Sequence, residues 1–422
     1  MNTCVATSTL LIGGLLLGFP TPLTAGQKEK GKTKGGSNPA FKIAEDDWPW
    51  WRGPFSDGRS RDRQVVTRWT ATENVVWKTQ VPGRGHSSPI VVSDRVFLTT
   101  ADEEAKKQLS LGFRRKTGEL LWSTVAHEGE FLPKHPKNSH ASATPASDGE
   151  RIYCVFINRD ALYALATDFD GRIVWQTRVG SFKSQHGYGS SPVLHKGLVI
   201  VNGDSLKGCV IAALHRDNGK VAWQVDRPTT GRNGSYATPI VATLAGRAQL
   251  LLTGMGEVRS YDPDSGRLLW SCSGPAEVTA CTPAFSDSLV FATGGYPEKE
   301  ILAIRADGKG DVSKSHVAWR TNKGVSYVPS PIYLDGKLYV ISDNGIVSCF
   351  EARTGKQVWQ NRVEGEFSAS PVLVGDLLYC TNEAGKTFIV KIGREFEIVE
   401  TNDLADGGFG TPAVCGGRCA PK

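Results

Sequence analysis

The chain alternates short apolar runs with glycine-centred turns along almost its whole length. From Pro331 the pattern is typical: an apolar run Ile332 to Leu334, the turn Asp335-Gly336, a run Leu338 to Ile341, the turn Asp343-Asn344-Gly345, a run Ile346 to Glu351, and the turn Arg353-Thr354-Gly355 leading to a run that holds Trp359. Runs this short, bounded by Gly, Asp and Asn, predict β-strands joined by tight turns. No long segment shows helical periodicity.

The unit repeats. Turn-plus-tryptophan stretches end at Trp122 (FRRKTGELLW), Trp175 (ATDFDGRIVW), Trp223 (LHRDNGKVAW), Trp270 (YDPDSGRLLW) and Trp359 (FEARTGKQVW), with a longer version ending at Trp319. A Ser/Thr-Pro pair marks the other half at Pro89, Pro145, Pro192, Pro239, Pro283, Pro331, Pro371 and Pro412, spaced from 40 residues (Pro331 to Pro371) to 56 (Pro89 to Pro145). That is the period of a four-stranded propeller blade. The prediction is an all-β, eight-bladed β-propeller of four-stranded antiparallel blades, a ring that protects its sheet edges by radial repetition.

The repeat decides what the acidic turns are for. DPDSG carries two carboxylates, but no other copy keeps both at those positions, and calcium needs about six oxygen ligands. Gly118, Gly219, Gly266 and Gly355 supply the positive φ of the turn into the outer strand. Trp122, Trp175, Trp223, Trp270, Trp319 and Trp359 are predicted to pack against the neighbouring blade at the rim, and Trp77, in the stretch 74–77, is the natural outer-strand tryptophan of blade eight. That blade is expected to be incomplete. After Gly410-Thr411-Pro412 the chain reads AVCGGRCAPK, which offers an inner strand but no further strands, as a truncated or frameshifted gene end would leave it.

Composition sharpens the picture at the ends. The formal net charge is +6. Half of it sits in residues 26–40, whose lysines form a short basic linker rather than the basic-aromatic surface that nucleic acid requires. Residues 8–19 form an apolar run too short to span a bilayer as a helix. The expected organisation is a signal peptide over 1–25 with cleavage after Ala25, a disordered linker over 26–46 and a propeller domain over 47–422, in an exported protein of the periplasm or cell envelope with no membrane span in the mature chain. The nine cysteines show no CxxC and no zinc spacing. Those inside apolar runs read as buried thiols; Cys272 with Cys281 is the one pairing worth testing.

Candidate binding residues cluster before the repeat prolines, where the chain enters the innermost strand at the channel mouth. They are His86 and Ser88, His140 and Ser142, His186 and Tyr188, Tyr236, and Tyr327. A solvated polar rim, a small-molecule or peptide site, and a three-histidine metal site are all compatible with this set; unequal offsets argue against the metal.

The repeat, with its turn Gly, outer Trp and Ser/Thr-Pro, resembles the PQQ-type propeller repeat shared by quinoprotein dehydrogenases and BamB-like outer-membrane assembly subunits. The opening DWPWWRGPFSDG and the stretches HVAWR, YVPSPI and SDNGI resemble an exported bacterial subfamily of that kind. The resemblance implies a monomeric scaffold that binds a protein or peptide partner in the cell envelope through one face and needs no metal or cofactor. It also carries an alternative, a dehydrogenase holding PQQ with calcium in the central channel. The adjacent-cysteine disulfide of those enzymes is missing here, and most tryptophans are committed to the rim.

Overall fold

The computed structural model describes residues 41–63, 65–228 and 234–422; the expected signal peptide and most of the expected linker lie outside them. All regular structure in the described residues is β. Seven sheets built on four antiparallel strands follow one another, over residues 90–128, 146–181, 193–227, 240–273, 284–321, 332–362 and 372–403, the fourth extended by the short parallel strand Gly310–Asp311, and an eighth sheet has two strands, Ala413–Cys415 and Arg418–Ala420. We number these blades 1 to 8. First strands approach one another between blades 2 and 3, 3 and 4, 5 and 6, and 8 and 1, the last of these contacts closing the ring.

Burial explains the hydrophobic pattern. The second and third strands of a blade are covered on both faces by adjacent blades, so they read as continuous apolar runs. Leu198–Gly203 in blade 3 is buried at every position. The outer strand faces solvent on one side and alternates, as in Val221–Arg227.

The outer tryptophans are aimed by a recurring β-bulge. In each of the seven four-stranded blades, pairing of the third and fourth strands slips by one residue just past the turn. A bulge twists the strand and redirects its side chains. In six blades the residue opposite the tryptophan is small: Gly112, Ala166, Ala213, Ser260, Ala303 and Cys349. The indole therefore has room to lie across the blade. Trp175 covers Gly219 of blade 3, where an added Cβ would come within 2.5 Å of the ring, and its Nε1 donates to Arg216 O at 2.9 Å. Trp122 over Gly171, Trp223 over Gly266 and Trp319 over Gly355 repeat the arrangement. Trp359 donates to Gly393 O at 3.1 Å. Trp270 differs: the longer turn of blade 5 covers it with Gly310–Asp311, and its Nε1 donates to Gln249 Oε1 of its own blade at 2.8 Å.

Blade 8 departs from the expectation in detail. Arg418–Ala420 does form a second strand, paired with Ala413–Cys415, where the sequence had promised only the inner one. Residues 74–77 are not a strand, yet Trp77 makes the rim contact of blade 8, lying over Gly118 and donating to Arg115 O at 3.0 Å. The expected linker also ends earlier than residue 46. Lys42 N donates to Asp148 O, Phe41 meets Trp50 edge-on, and Arg216 sits over the Phe41 ring at 4.8 Å. Cys272 and Cys281 are both unpaired thiols.

Candidate functional site

The Ser/Thr-Pro motif builds the wall of the channel. The backbone amide of each Ser or Thr donates to the hydroxyl of its counterpart in the next blade: Ser88 to Thr144, Thr144 to Ser191, and Ser191 to Thr238, all at 2.9 Å. The series resumes with Thr282 to Ser330 at 3.0 Å, Ser330 to Ser370 and Ser370 to Thr411 at 2.9 Å, and closes with Thr411 to Ser88 at 2.8 Å. An inner strand cannot pair with its neighbour as in a sheet, because the blades radiate. The side-chain hydroxyl supplies the acceptor that the buried amide needs.

One end of this channel is closed by the segment Asp47 to Ser60. Trp48 pairs with Val91 of blade 1, Pro49 O accepts from Ser147 of blade 2, and Ser60 Oγ donates to Val414 O of blade 8. Arg52 is buried, with its guanidinium donating to Pro331 O at 2.6 Å, Asp57 O at 2.9 Å and Pro371 O at 3.2 Å. Burial pulls its pKa down to about 10, which leaves it charged at neutral pH. Gly58 lies against that guanidinium, where a Cβ would come within 2.7 Å. Trp51 Nε1 donates to Thr282 Oγ1 at 2.8 Å, so the indole lies at the level of the hydroxyl ring.

Above Trp51 lies a cavity of about 780 Å³. Its mouth carries the exposed Tyr296 and Lys299. Of the eight residues singled out in the sequence, six line it: His86, Ser88, Ser142, His186, Tyr236 and Tyr327. The other two do not. Tyr188 is buried in the core of blade 3, edge-on to Phe182, with its hydroxyl donating to Asn202 O at 2.7 Å. His140 turns away from the channel and stacks on Phe131 at 4.2 Å. The three histidines therefore do not gather, and the described residues contain no group of three or more His, Cys, Asp or Glu side chains able to hold a metal. Strand alternation does not separate them, since His140 stands five residues before its proline and His86 three; His140 lies in a turn at 140–141 rather than in an extended stretch.

Sequence reasoning missed most of the lining. Trp51 and Phe409 contribute aromatic surface; His135, Lys137 and Asn138 come from the connection before blade 2; Asp343, Glu366 and Glu383 come from blades 6 and 7 and the connection between them. The basic, proline-broken stretch PKHPKNS at 133–139 was the available signal. His86 stacks on Phe409 at 4.5 Å, and burial, helped by Arg84, lowers its pKa to about 4. Tyr327 is pushed up to about 12 by burial, then by Tyr236 and Asp343. Burial raises Asp343 as well, against the amides of Tyr327 (2.8 Å) and Val328 (3.1 Å) that its two oxygens accept from. At neutral pH the wall therefore presents a neutral His86 and the neutral hydroxyls of Tyr236 and Tyr327.

A calcium-bound quinone does not fit this donor set. Both oxygens of Asp343 are used by backbone amides, while Glu366 and Glu383 hold Lys137. The aromatic floor at Trp51 could take a planar ring, but no quinone chemistry follows from these residues.

The propeller and its repeat have relatives. The europium-containing methanol dehydrogenase superposes with a TM-score of 0.59 at 12% identity, over 88% of each chain. BamB from Moraxella catarrhalis superposes with 0.56 at 17%, over 80% of this chain and 92% of that one. At those identities the likeness is one of fold. In sequence, the outer membrane protein assembly factor BamB of Yersinia pestis is 24% identical across 67% of this chain and 69% of its own length. The BamB of Burkholderia pseudomallei is 24% identical across 74% and 86%. A tetrathionate hydrolase of Acidithiobacillus ferrooxidans is 23% identical across 74% of this chain and 65% of its own. The family model described as outer membrane protein assembly factor BamB matches residues 56–133, 112–326 and 298–393, so the chain belongs to this family of PQQ-like repeat propellers.

Proposed function

We propose that the protein is an exported, monomeric scaffold that binds a protein or peptide segment of the cell envelope at the mouth of its channel. The observation that carries this reading is the asymmetry of the two ends. One end is closed by Asp47 to Ser60 around the buried Arg52, and the other opens into a cavity lined by aromatic, amide and charged side chains drawn from all around the ring. Binding sites favour a concave, partly aromatic surface with a few placed polar groups. Loops at one end of a rigid scaffold are where such groups are displayed. The BamB relatives, whose name describes assembly factors, fit this use of the fold.

A photo-crosslinking residue placed at Tyr327 or Tyr296, in cells of the native host, should give discrete protein adducts. The same residue at Ile173 on the outer strand should give none. Adducts from Ile173 alone would overturn the reading. Titration of purified protein with PQQ and calcium completes the test: a bound-quinone absorbance that Trp51→Ala abolishes would move the protein to the dehydrogenase alternative.

A further inference from the structure

The connection between blades 1 and 2 runs from residue 129 to 145, longer than 182–192 or 363–371 at equivalent places. It reaches over the mouth. Lys137, near its tip, contacts Glu366 in the connection before blade 7 and lies 3.0 Å from Glu383 in blade 7. Blades 8 and 1 lie between blade 7 and the connection's own blade, so the contact crosses the sector where His86 stacks on Phe409.

The two ends of this crossing are held differently. On the near side most bonds are to backbone carbonyls, with the ion pairs Lys134–Glu103 and Lys106–Glu130 beside them. Arg84 Nη2 donates to Pro136 O and Asn138 Nδ2 to His186 O, each at 2.7 Å, and His135 N donates to His186 O at 3.2 Å. On the far side the contact is ionic. The Lys137 and Glu366 side chains are 50% and 66% exposed. Exposed ion pairs of long side chains are marginal and weaken with salt, whereas the near-side bonds to carbonyls are largely indifferent to it. Glu383 is the better-held acid, since Ser368 Oγ donates to it at 2.7 Å. The far side is thus a prepared acceptor for a releasable lysine.

We propose that residues 129–145 form a strap over the cavity, hinged at His186 and latched by Lys137 on Glu366 and Glu383, and that release of the latch admits the partner. This rests on the mouth being the binding face, and it adds how access to that face is controlled. A partner segment or salt that competes for the two glutamates opens the strap. Loops that gate sites are drawn from weakly held segments of this kind.

The test reads access directly, with no partner present. Ala280, in the cavity wall, is changed to Cys and labelled with a bulky maleimide, with the unsubstituted chain as the background. Labelling should speed up on the order of three-fold on raising NaCl to about 0.5 M, should be fast at both salts with Lys137→Met, and should be slow again with Lys137→Arg. Hydrogen exchange over 131–139 should rise in Lys137→Met of the otherwise native chain, which keeps the test independent of the added cysteine. Labelling that ignores both salt and Lys137, with exchange unchanged, would overturn the strap. Crosslinks at Tyr327 would survive that result, and their absence would leave the labelling outcome intact, so the two readings fail separately.

Discussion

The amide of Thr411 donates to Ser88 Oγ at 2.8 Å, across 323 residues of chain. This bond joins blade 8 to blade 1 at the channel wall and repeats the bond made between six other pairs of inner strands. Ser88→Ala would leave the buried Thr411 amide unpaired, at a cost of about 1–3 kcal/mol. Chemical denaturation should show that loss for Ser88→Ala and little of it for Ser88→Thr. Equal stability of Ser88→Ala and the native chain would show that the ring of hydroxyls is not what secures closure.

The tryptophans should not be equal. Trp270 is fully buried and bonded to Gln249, whereas Trp223 is half-buried against Gly266. Trp270→Ala should cost about 3–5 kcal/mol, as buried aromatic truncations do, and Trp223→Ala less. The melting temperatures should rank accordingly. Gly219→Ala tests the same packing from the other side, since its Cβ would meet Trp175 and its φ of +69° suits no other residue well.

Arg52 closes the channel with charge rather than bulk. Arg52→Met keeps much of the volume but strips the partner from Pro331 O, Asp57 O and Pro371 O. A loss of about 3–5 kcal/mol is expected, as when a buried charged network loses one member. Arg52→Lys should recover little, because one ammonium cannot fan out to these carbonyls. Full stability of Arg52→Met would mean that the apolar neighbours alone seal that end.

Three histidines set an acid limit. Burial lowers His86, His127 and His140 to about 4, below the ordinary 6.5. Between those values the unfolded chain binds protons that the folded chain does not, so stability should fall as pH drops from about 6.5 to about 4 and level off below. Melting temperature measured over that range should follow the curve, and His127→Gln should flatten it. A profile unchanged by that substitution would exclude His127 as a source of the slope.

Local chemistry carried the fold in the sequence itself. Glycine turns, apolar runs of strand length and the recurring Ser/Thr-Pro were enough for the blades, because each blade is built from neighbours in the chain. The rim tryptophans were legible for the same reason. Two signals in the sequence went unread: the small residue opposite each tryptophan and the hydroxyl of each Ser/Thr-Pro. Both gain meaning only once the strands are in register. Only a minority of the site was legible. His86, His186, Tyr236 and Tyr327 lay close before a repeat proline and were found, but so did His140 and Tyr188, which point elsewhere; offset from the proline does not separate them, because the chain entering the inner strand is not regularly extended, with His140 in a turn. Trp51, Lys137, Glu366 and Glu383 lay beyond any reading of the repeat. They come from the opening segment, a connection between blades, and turns more than two hundred residues apart, and only closure of the ring brings them to one cavity.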